Sequence, residues 1–140
     1  MDAMRRAGRD AHPEDTLVRV GEVVVGSLDV VLMAGPCAIE SYDQTRAIAD
    51  AVKAAGVRIL RGGAYKPRTS PYDFQGLGPE GLEILGRVRR ETGLAAVTEV
   101  MAPGDVELVS RHADLLQVGA RNMQNFALLA ELGRSKKPVL

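Results

Sequence analysis

Apolar and polar positions along the chain switch repeatedly between short β-rich runs and longer stretches with helical spacing. "LVRV" and "VVV" flank Gly21-Glu22 and read as two short strands able to pair as a hairpin. "DVVLMAGP" is a nearly continuous apolar run closed by Gly35-Pro36, and predicts a strand buried on both faces. In "SYDQTRAIADAVKAAG", Ser41 and Gln44 have capping-box spacing, Ile48, Ala49, Val52 and Ala55 make one face, and Gly56 can close a helix. "VRIL" predicts the next strand, and a long loop, "RGGAYKPRTSP", follows it. Pro79 suits the first turn of a helix through "EGLEILGRVRRETG", with Leu82, Leu85 and Val88 or Arg89 on its faces and Gly93 past its end. "LAAVTEV" is a strand, "PGDVELVSRHA" a short helix entered by Pro103, and "DLLQV" a strand. "NMQNFALLAELG" predicts a helix with Gly133 beyond it, and "KPVL" begins one more strand.

Strands alternating with helices imply right-handed crossovers and a parallel sheet. The order is a β-hairpin, then about four βα units, then part of a strand. A (β/α)8 barrel needs about 250 residues, so the expected class is α/β, the first half of a TIM barrel entered through a short hairpin. A complete doubly wound domain is the alternative, but it would not be expected to stop on "KPVL" with no helix to cover that strand. The expected organisation is a polar, disordered tail over residues 1–15 and a half-barrel over 16–140, cut within its fifth strand.

Composition narrows this further. Of 140 residues, 46% are hydrophobic, enough for one ordinary core. Eighteen basic and 18 acidic side chains cancel. No global field draws the chain to nucleic acid or an anionic membrane, so any positive site must be local. The lone Cys37 cannot form an intramolecular disulfide and suits a reducing cytosol, so a cytoplasmic protein is expected. No apolar run reaches the roughly 18 residues of a membrane span. "MDAMRRAGRDAHPED" has paired arginines but no apolar segment behind them, unlike a signal peptide.

In parallel α/β folds the reacting groups gather at the carboxyl ends of the strands. Those ends hold Cys37, Arg61, Glu99 and Arg121, each two residues past Gly35, Ile59, Val97 or Gly119. If these partners face the barrel axis, alternation aims the four tips at one mouth. Taken singly, each residue has a plain alternative. Cys37 could be a small buried hydrophobe, Arg61 a strand terminus, Glu99 a helix cap, and Arg121 its ion-pair partner. Neither His12 nor His112 has metal-ligand spacing with Cys37.

The loop after Arg61 is harder to explain as solvated surface. Gly62-Gly63 lets the backbone turn sharply beside a ligand. Pro67 and Pro71 stiffen the segment that carries Lys66, Arg68 and Thr69, which lowers the entropy lost on gripping an anion. Arginine offers a planar fork for carboxylate or phosphate, and lysine a point charge beside it. "GLGPEG" matches the spacing of a dinucleotide-binding turn, but it follows loop residues rather than a strand, so that reading is set aside.

"AGPCAIES", "LRGGAYKPRTSPYDFQGLGPEGL", "VTEV" and "LQVGARNMQNFALL" together resemble the type I 3-deoxy-D-arabino-heptulosonate-7-phosphate (DAHP) synthases. The likeness is to the subgroup that shares features with 3-deoxy-D-manno-octulosonate-8-phosphate (KDO8P) synthase, and it runs from about Thr16 to Leu140. It implies a (β/α)8 barrel that condenses phosphoenolpyruvate with erythrose 4-phosphate and releases phosphate, the first step of the shikimate pathway to aromatic amino acids. By the same resemblance Cys37 would ligate a divalent metal (Mn, Fe, Co or Zn). Arg61 would contact phosphoenolpyruvate, and Lys66, Pro67, Arg68 and Thr69 would line the two-substrate pocket, with Lys66 near both. Arg121 would bind the phosphate of phosphoenolpyruvate beside the backbone of Ala120, and Glu99 would handle the attacking water. Lys66 and Glu99 are thus the catalytic candidates. A homo-oligomer is implied for the full-length enzyme, with no nucleic-acid or membrane partner.

The family's remaining ligands, a histidine, a glutamate and an aspartate, have no counterpart in these residues, nor does a lysine expected just after "KPVL". The chain is therefore expected to be an amino-terminal fragment, inactive alone, with open sheet edges prone to pairing. KDO8P synthase, which would take arabinose 5-phosphate, is the nearest competing reading; a non-catalytic phosphate-binding half-barrel is the other.

Overall fold

The structure, a computed structural model, describes residues 8–140. The expected tail falls partly outside them, over residues 1–7. From Gly8 to Asp15 the chain is largely exposed, with the Ala11 and His12 amides donating to the Gly8 carbonyl and an Arg9–Asp15 ion pair at 2.8 Å.

Strands β1 (Val18–Val20) and β2 (Val23–Val25) pair antiparallel, with Val20 opposite Val23 across a turn where Gly21 takes φ 56°. Four strands then line up in chain order as a parallel sheet: β3 (Met33–Ala34), β4 (Ile59–Arg61), β5 (Ala95–Glu99) and β6 (Leu115–Gln117). Helices α1 (Tyr42–Ala54), α2 (Pro79–Thr92) and α3 (Val106–His112) make the crossovers, and α4 (Phe126–Ser135) follows β6. The "KPVL" strand begins as expected: Val139 bridges parallel to Leu116, and the Leu140 amide donates to the Leu116 carbonyl at 2.9 Å. The α/β class with a preceding hairpin is thus observed.

Alternation divides the core in two. Leu60, Ala96 and Leu116 face the helix layer and pack with residues such as Leu82, Leu85, Val109 and Leu128. Ile59, Ala95, Val97 and Leu115 face the other way and pack against Val20 and Val23 of the hairpin. The hairpin therefore seals the amino-terminal end of the strand axis. By the same alternation Arg61, Glu99 and Gln117 share the axis face at the opposite, carboxyl end.

The helices start where their local chemistry dictates. Ser41 caps α1 by accepting from the Gln44 amide at 3.1 Å, while Gln44 Oε1 accepts from the Glu40 amide at 3.2 Å. Pro79 opens α2, and Gly93 closes it in the left-handed region at φ 72°. Between α1 and α2, Glu91 accepts from the Tyr42 hydroxyl at 2.6 Å and from Arg46 and Arg87 at 2.8 Å, with Arg87 lying 3.9 Å from the Tyr42 ring centroid. The Tyr42 hydroxyl first, then the two guanidinium groups, hold the Glu91 carboxyl down at about 2. At the amino-terminal end of the sheet, the buried Asp114 carboxylate accepts from Arg89 and, at 3.0 Å, from the Ala96 amide, tying α2 and β5 to the entry of β6.

Two expectations need correction. The run "DVVLMAGP" is a strand only at Met33–Ala34, and it is not buried on both faces, because Val30 and Leu32 are 86% and 51% exposed. The only strand neighbour of β3 among the described residues is β4, so among them nothing covers the outward positions that precede it. The last helix neither starts at Asn122 nor stops before Gly133. Asn125 caps it by accepting from the Leu128 amide at 3.1 Å, and Lys136, at φ 56°, ends it. Residues 120–122 form a separate 3-10 turn. No helix among the described residues is long and apolar enough to cross a membrane.

Candidate anion-binding site

The site is assembled from the loops leaving β3, β4, β5 and β6. Arg61 ends β4 and turns its guanidinium back to the β3–α1 loop, donating through one nitrogen to the Pro36 and Cys37 carbonyls at 3.1 and 2.9 Å. Lys66, five residues on, donates to the Cys37 carbonyl at 2.9 Å and to its sulfur at 3.1 Å. Cys37 itself is exposed, not the small buried hydrophobe that was its plain alternative. Its thiol is held below its ordinary value, first by the hydrogen bond from Lys66 and then by the Arg61 guanidinium.

The cationic loop is built rather than loose. The Gly62 amide donates to the Val97 carbonyl at 3.2 Å, and the Gly63 carbonyl accepts from the Ile39 amide at 3.0 Å, which fastens the loop to both neighbours. Lys66 and Gln75 close its base through an amide–carbonyl bond of 2.9 Å, and Gln75 Nε2 donates to the Ser70 and Asp73 carbonyls. The glycines of "GLGPEG" serve this closure. A side chain on Gly76 (φ 91°) would run into the Ala64 carbonyl, and Gly78 caps α2 while donating to the same carbonyl at 3.0 Å. These glycines let backbone approach backbone, with no room for a pyrophosphate between them.

Two adjoining hollows open at this end. One, of about 290 Å³, is lined by Arg61, Lys66, Pro67, Arg68, Thr69, Asp73, Glu99 and Arg121. The other, of about 560 Å³, is lined by Pro67, Glu99, Met101, Gly119, Ala120, Arg121 and Asn122. Pro67, Glu99 and Arg121 belong to both. Every expected site residue except Cys37 therefore lines one hollow or the other, and Lys66 joins Cys37 to them. Arg121 is not at a strand tip, because β6 ends at Gln117; it sits in the turn of residues 120–122. Nor does it pair with Glu99, whose carboxylate rests against Gly119, where a Cβ would overlap it.

Charge is the decisive property of the site. The ion pairs among the described residues use Arg9, Arg46, Arg87, Arg89, Arg111 and Arg134, and none uses Arg61, Lys66, Arg68 or Arg121. Four cations thus face shared space with no carboxylate partner among the described residues. Such an arrangement suits a small molecule carrying phosphate and carboxylate groups. Among the described residues no three His, Cys, Asp or Glu side chains cluster, and the one sulfur has an ammonium 3.1 Å away.

The sequence reading overlooked Asp73, Met101 and Asn122. Asp73 is the first acid after the cationic run, and Asn122 sits within the "GARN" motif, but neither has a motif-level signal for a wall position.

The family model described as "DAHP synthetase I family" matches residues 11–140. The chain belongs to that family. It is 47% identical over 132 residues to a phospho-2-dehydro-3-deoxyheptonate aldolase from Thermotoga maritima, spanning 94% of this chain and 39% of the relative. A 2-dehydro-3-deoxyphosphooctonate aldolase from Syntrophobacter fumaroxidans is 34% identical over 122 residues, spanning 82% of this chain and 42% of the relative. Among solved structures, a Thermotoga maritima phospho-2-dehydro-3-deoxyheptonate aldolase (DAHP synthase) superposes with a TM-score of 0.87 at 46% identity, over 94% of this chain and 38% of that one. A truncated form of the 3-deoxy-D-arabino-heptulosonate 7-phosphate synthase of the same organism gives 0.82 at 42% identity, over 94% of this chain and 47% of that one. The chain thus spans less than half the length of these relatives.

Proposed function

We propose that residues 16–140 are the amino-terminal half of a (β/α)8 synthase that condenses phosphoenolpyruvate with erythrose 4-phosphate. The observation that carries this reading is the convergence of four unpaired cations with Thr69 and Glu99 at the carboxyl end of a parallel sheet. Both substrates are phosphorylated anions, and one of them also carries a carboxylate. Arg61, Lys66 and Arg121, with the Ala120 backbone, are assigned to phosphoenolpyruvate; Arg68 and Thr69, beside Pro67, are assigned to the phosphate of the aldose. Holding two like-charged molecules together supplies proximity that their mutual repulsion would otherwise oppose, and fixed guanidinium groups stabilise charge as it builds on the leaving phosphate.

In the reaction, C3 of phosphoenolpyruvate bonds to the aldehyde carbon, water adds at C2, and the C2–O bond to phosphate breaks. Glu99, at the boundary of the two hollows, is the base assigned to that water, and Lys66 is the acid assigned to the developing alkoxide. Cys37 contributes one sulfur to this end, so any divalent ion would need its other donors from outside the described residues. No step is assigned to it. A cytoplasmic location and homo-oligomeric assembly complete the proposal.

The octulosonate reading rests on the 34% identity to a 2-dehydro-3-deoxyphosphooctonate aldolase. The 47% identity to the heptonate enzyme favours erythrose 4-phosphate. Calorimetric titration of the chain with phosphoenolpyruvate tests the anion site, with erythrose 4-phosphate and arabinose 5-phosphate as competing second ligands. Binding of phosphoenolpyruvate followed by preference for the four-carbon sugar phosphate is expected. Absence of any phosphoenolpyruvate binding would overturn the assignment.

A further inference from the structure

We propose that Asn122 is the positioning residue that aims Arg121 into the site and sets its separation from Glu99; this deepens the proposed function and rests on it. The Arg121 guanidinium has no hydrogen-bond or ion-pair partner among the described residues, so its direction is inherited from the backbone that carries it. That backbone is the short turn of residues 120–122, closed on itself by the Asn122 amide donating to the Gly119 carbonyl at 2.9 Å. One side-chain bond ties the turn to the neighbouring strand exit: Asn122 Nδ2 donates to the Met101 carbonyl at 2.8 Å, in a partly buried position. A carbonyl can only accept, so the side-chain amide must present its nitrogen there.

Met101 lies two residues beyond Glu99, and Gly119 gives Glu99 its resting surface. The Asn122 bond and the Gly119 contact therefore act at the two ends of one turn. Together they hold the segment carrying Arg121 against the segment carrying Glu99, across the larger hollow. Without the amide the Met101 carbonyl is freed to water, the turn loses its tether, and Arg121 samples directions that miss the anion.

A double-mutant cycle distinguishes this role from general support of the fold. The chain, Asn122→Ala, Arg121→Ala and the double variant are titrated with phosphoenolpyruvate, and thermal melts are recorded for each. Asn122→Ala is expected to weaken binding about tenfold, as loss of one net hydrogen bond's worth of orientation would. In the Arg121→Ala background the same change is expected to cost almost nothing. In an Arg68→Ala background its full effect should persist. Asn122→Leu, similar in volume and without the donor, should reproduce Asn122→Ala and guards against a packing artefact. Unchanged affinity in both Asn122 variants, or an equal loss with and without Arg121, overturns the positioning role while leaving the anion site standing. A chain that binds no phosphoenolpyruvate overturns the proposed function itself, and the role of Asn122 with it.

Discussion

Lys66 places its ammonium 3.1 Å from the sulfur of Cys37 and 2.9 Å from its carbonyl oxygen, so that a cation from the β4–α2 loop holds the β3–α1 loop by its one thiol. The contact favours the thiolate, because the charged sulfur gains an opposite charge while staying exposed to water.

The first prediction concerns that pair. The rate of alkylation of Cys37 by iodoacetamide, followed against pH, should rise with a midpoint below that of an ordinary thiol. Lys66→Met should move the midpoint upward, since it removes the largest cause of the lowering, and Arg61→Met should move it less. An identical profile for the chain and Lys66→Met would mean that the contact does not persist in solution.

Arg121→Ala and Arg61→Ala are expected to weaken phosphoenolpyruvate binding, each by about 10- to 100-fold, the range for losing a charge-assisted bond to an anion. Affinity of the unmodified chain should fall as salt rises, because the charges lie at an open mouth within reach of screening ions. Calorimetry at two salt concentrations reads both effects. Arg61→Ala should also loosen the β3–α1 loop through its lost bonds to Pro36 and Cys37, and so lower the melting temperature more than Arg121→Ala.

Glu91 sets an acid limit on the α1–α2 contact. Its folded-state value is depressed to about 2, below its unfolded value of about 4.3. Its contribution is therefore fully present above pH 4.3 and is lost as pH falls from there towards 2. Urea unfolding between pH 7 and pH 2 should show a drop in that window, and Glu91→Gln should flatten it. The side chain is 31% exposed, so added salt should reduce the difference.

At the other end of the sheet, Asp114→Ala should cost roughly 3 kcal/mol of stability, because it leaves Arg89 and the Ala96 amide without their buried acceptor. Phosphoenolpyruvate affinity at temperatures where the variant stays folded should be unchanged. Urea denaturation with parallel calorimetry checks both halves of the expectation.

Much of this architecture was legible in the chain itself. Strand–helix alternation, the Ser41 cap, Pro79 at the start of α2 and Gly93 at its end are all local signals, and local signals survive folding. The shared aim of Arg61 and Glu99 follows from alternation alone, because Ile59 and Val97 sit in the axis-facing core. Where the reading failed, tertiary context decided. "DVVLMAGP" has the composition of a strand covered on both faces, but among the described residues β3 has only β4 beside it and its outward positions stay uncovered. Gly133 looks like a helix terminator until Asn125 moves the start of α4 forward and Lys136 takes the left-handed position. Asn122 and Asp73 acquire their places only once separate loops converge, and no spacing within one segment encodes that.

Val20 and Val23, packed beneath Ile59, Val97 and Leu115, lay a hydrocarbon floor under the axis face of the sheet. The cationic rim thus stands on a base that none of the rim residues helps to build. Residues at the rim can then be exchanged to suit a different anion while the base beneath keeps the same shape.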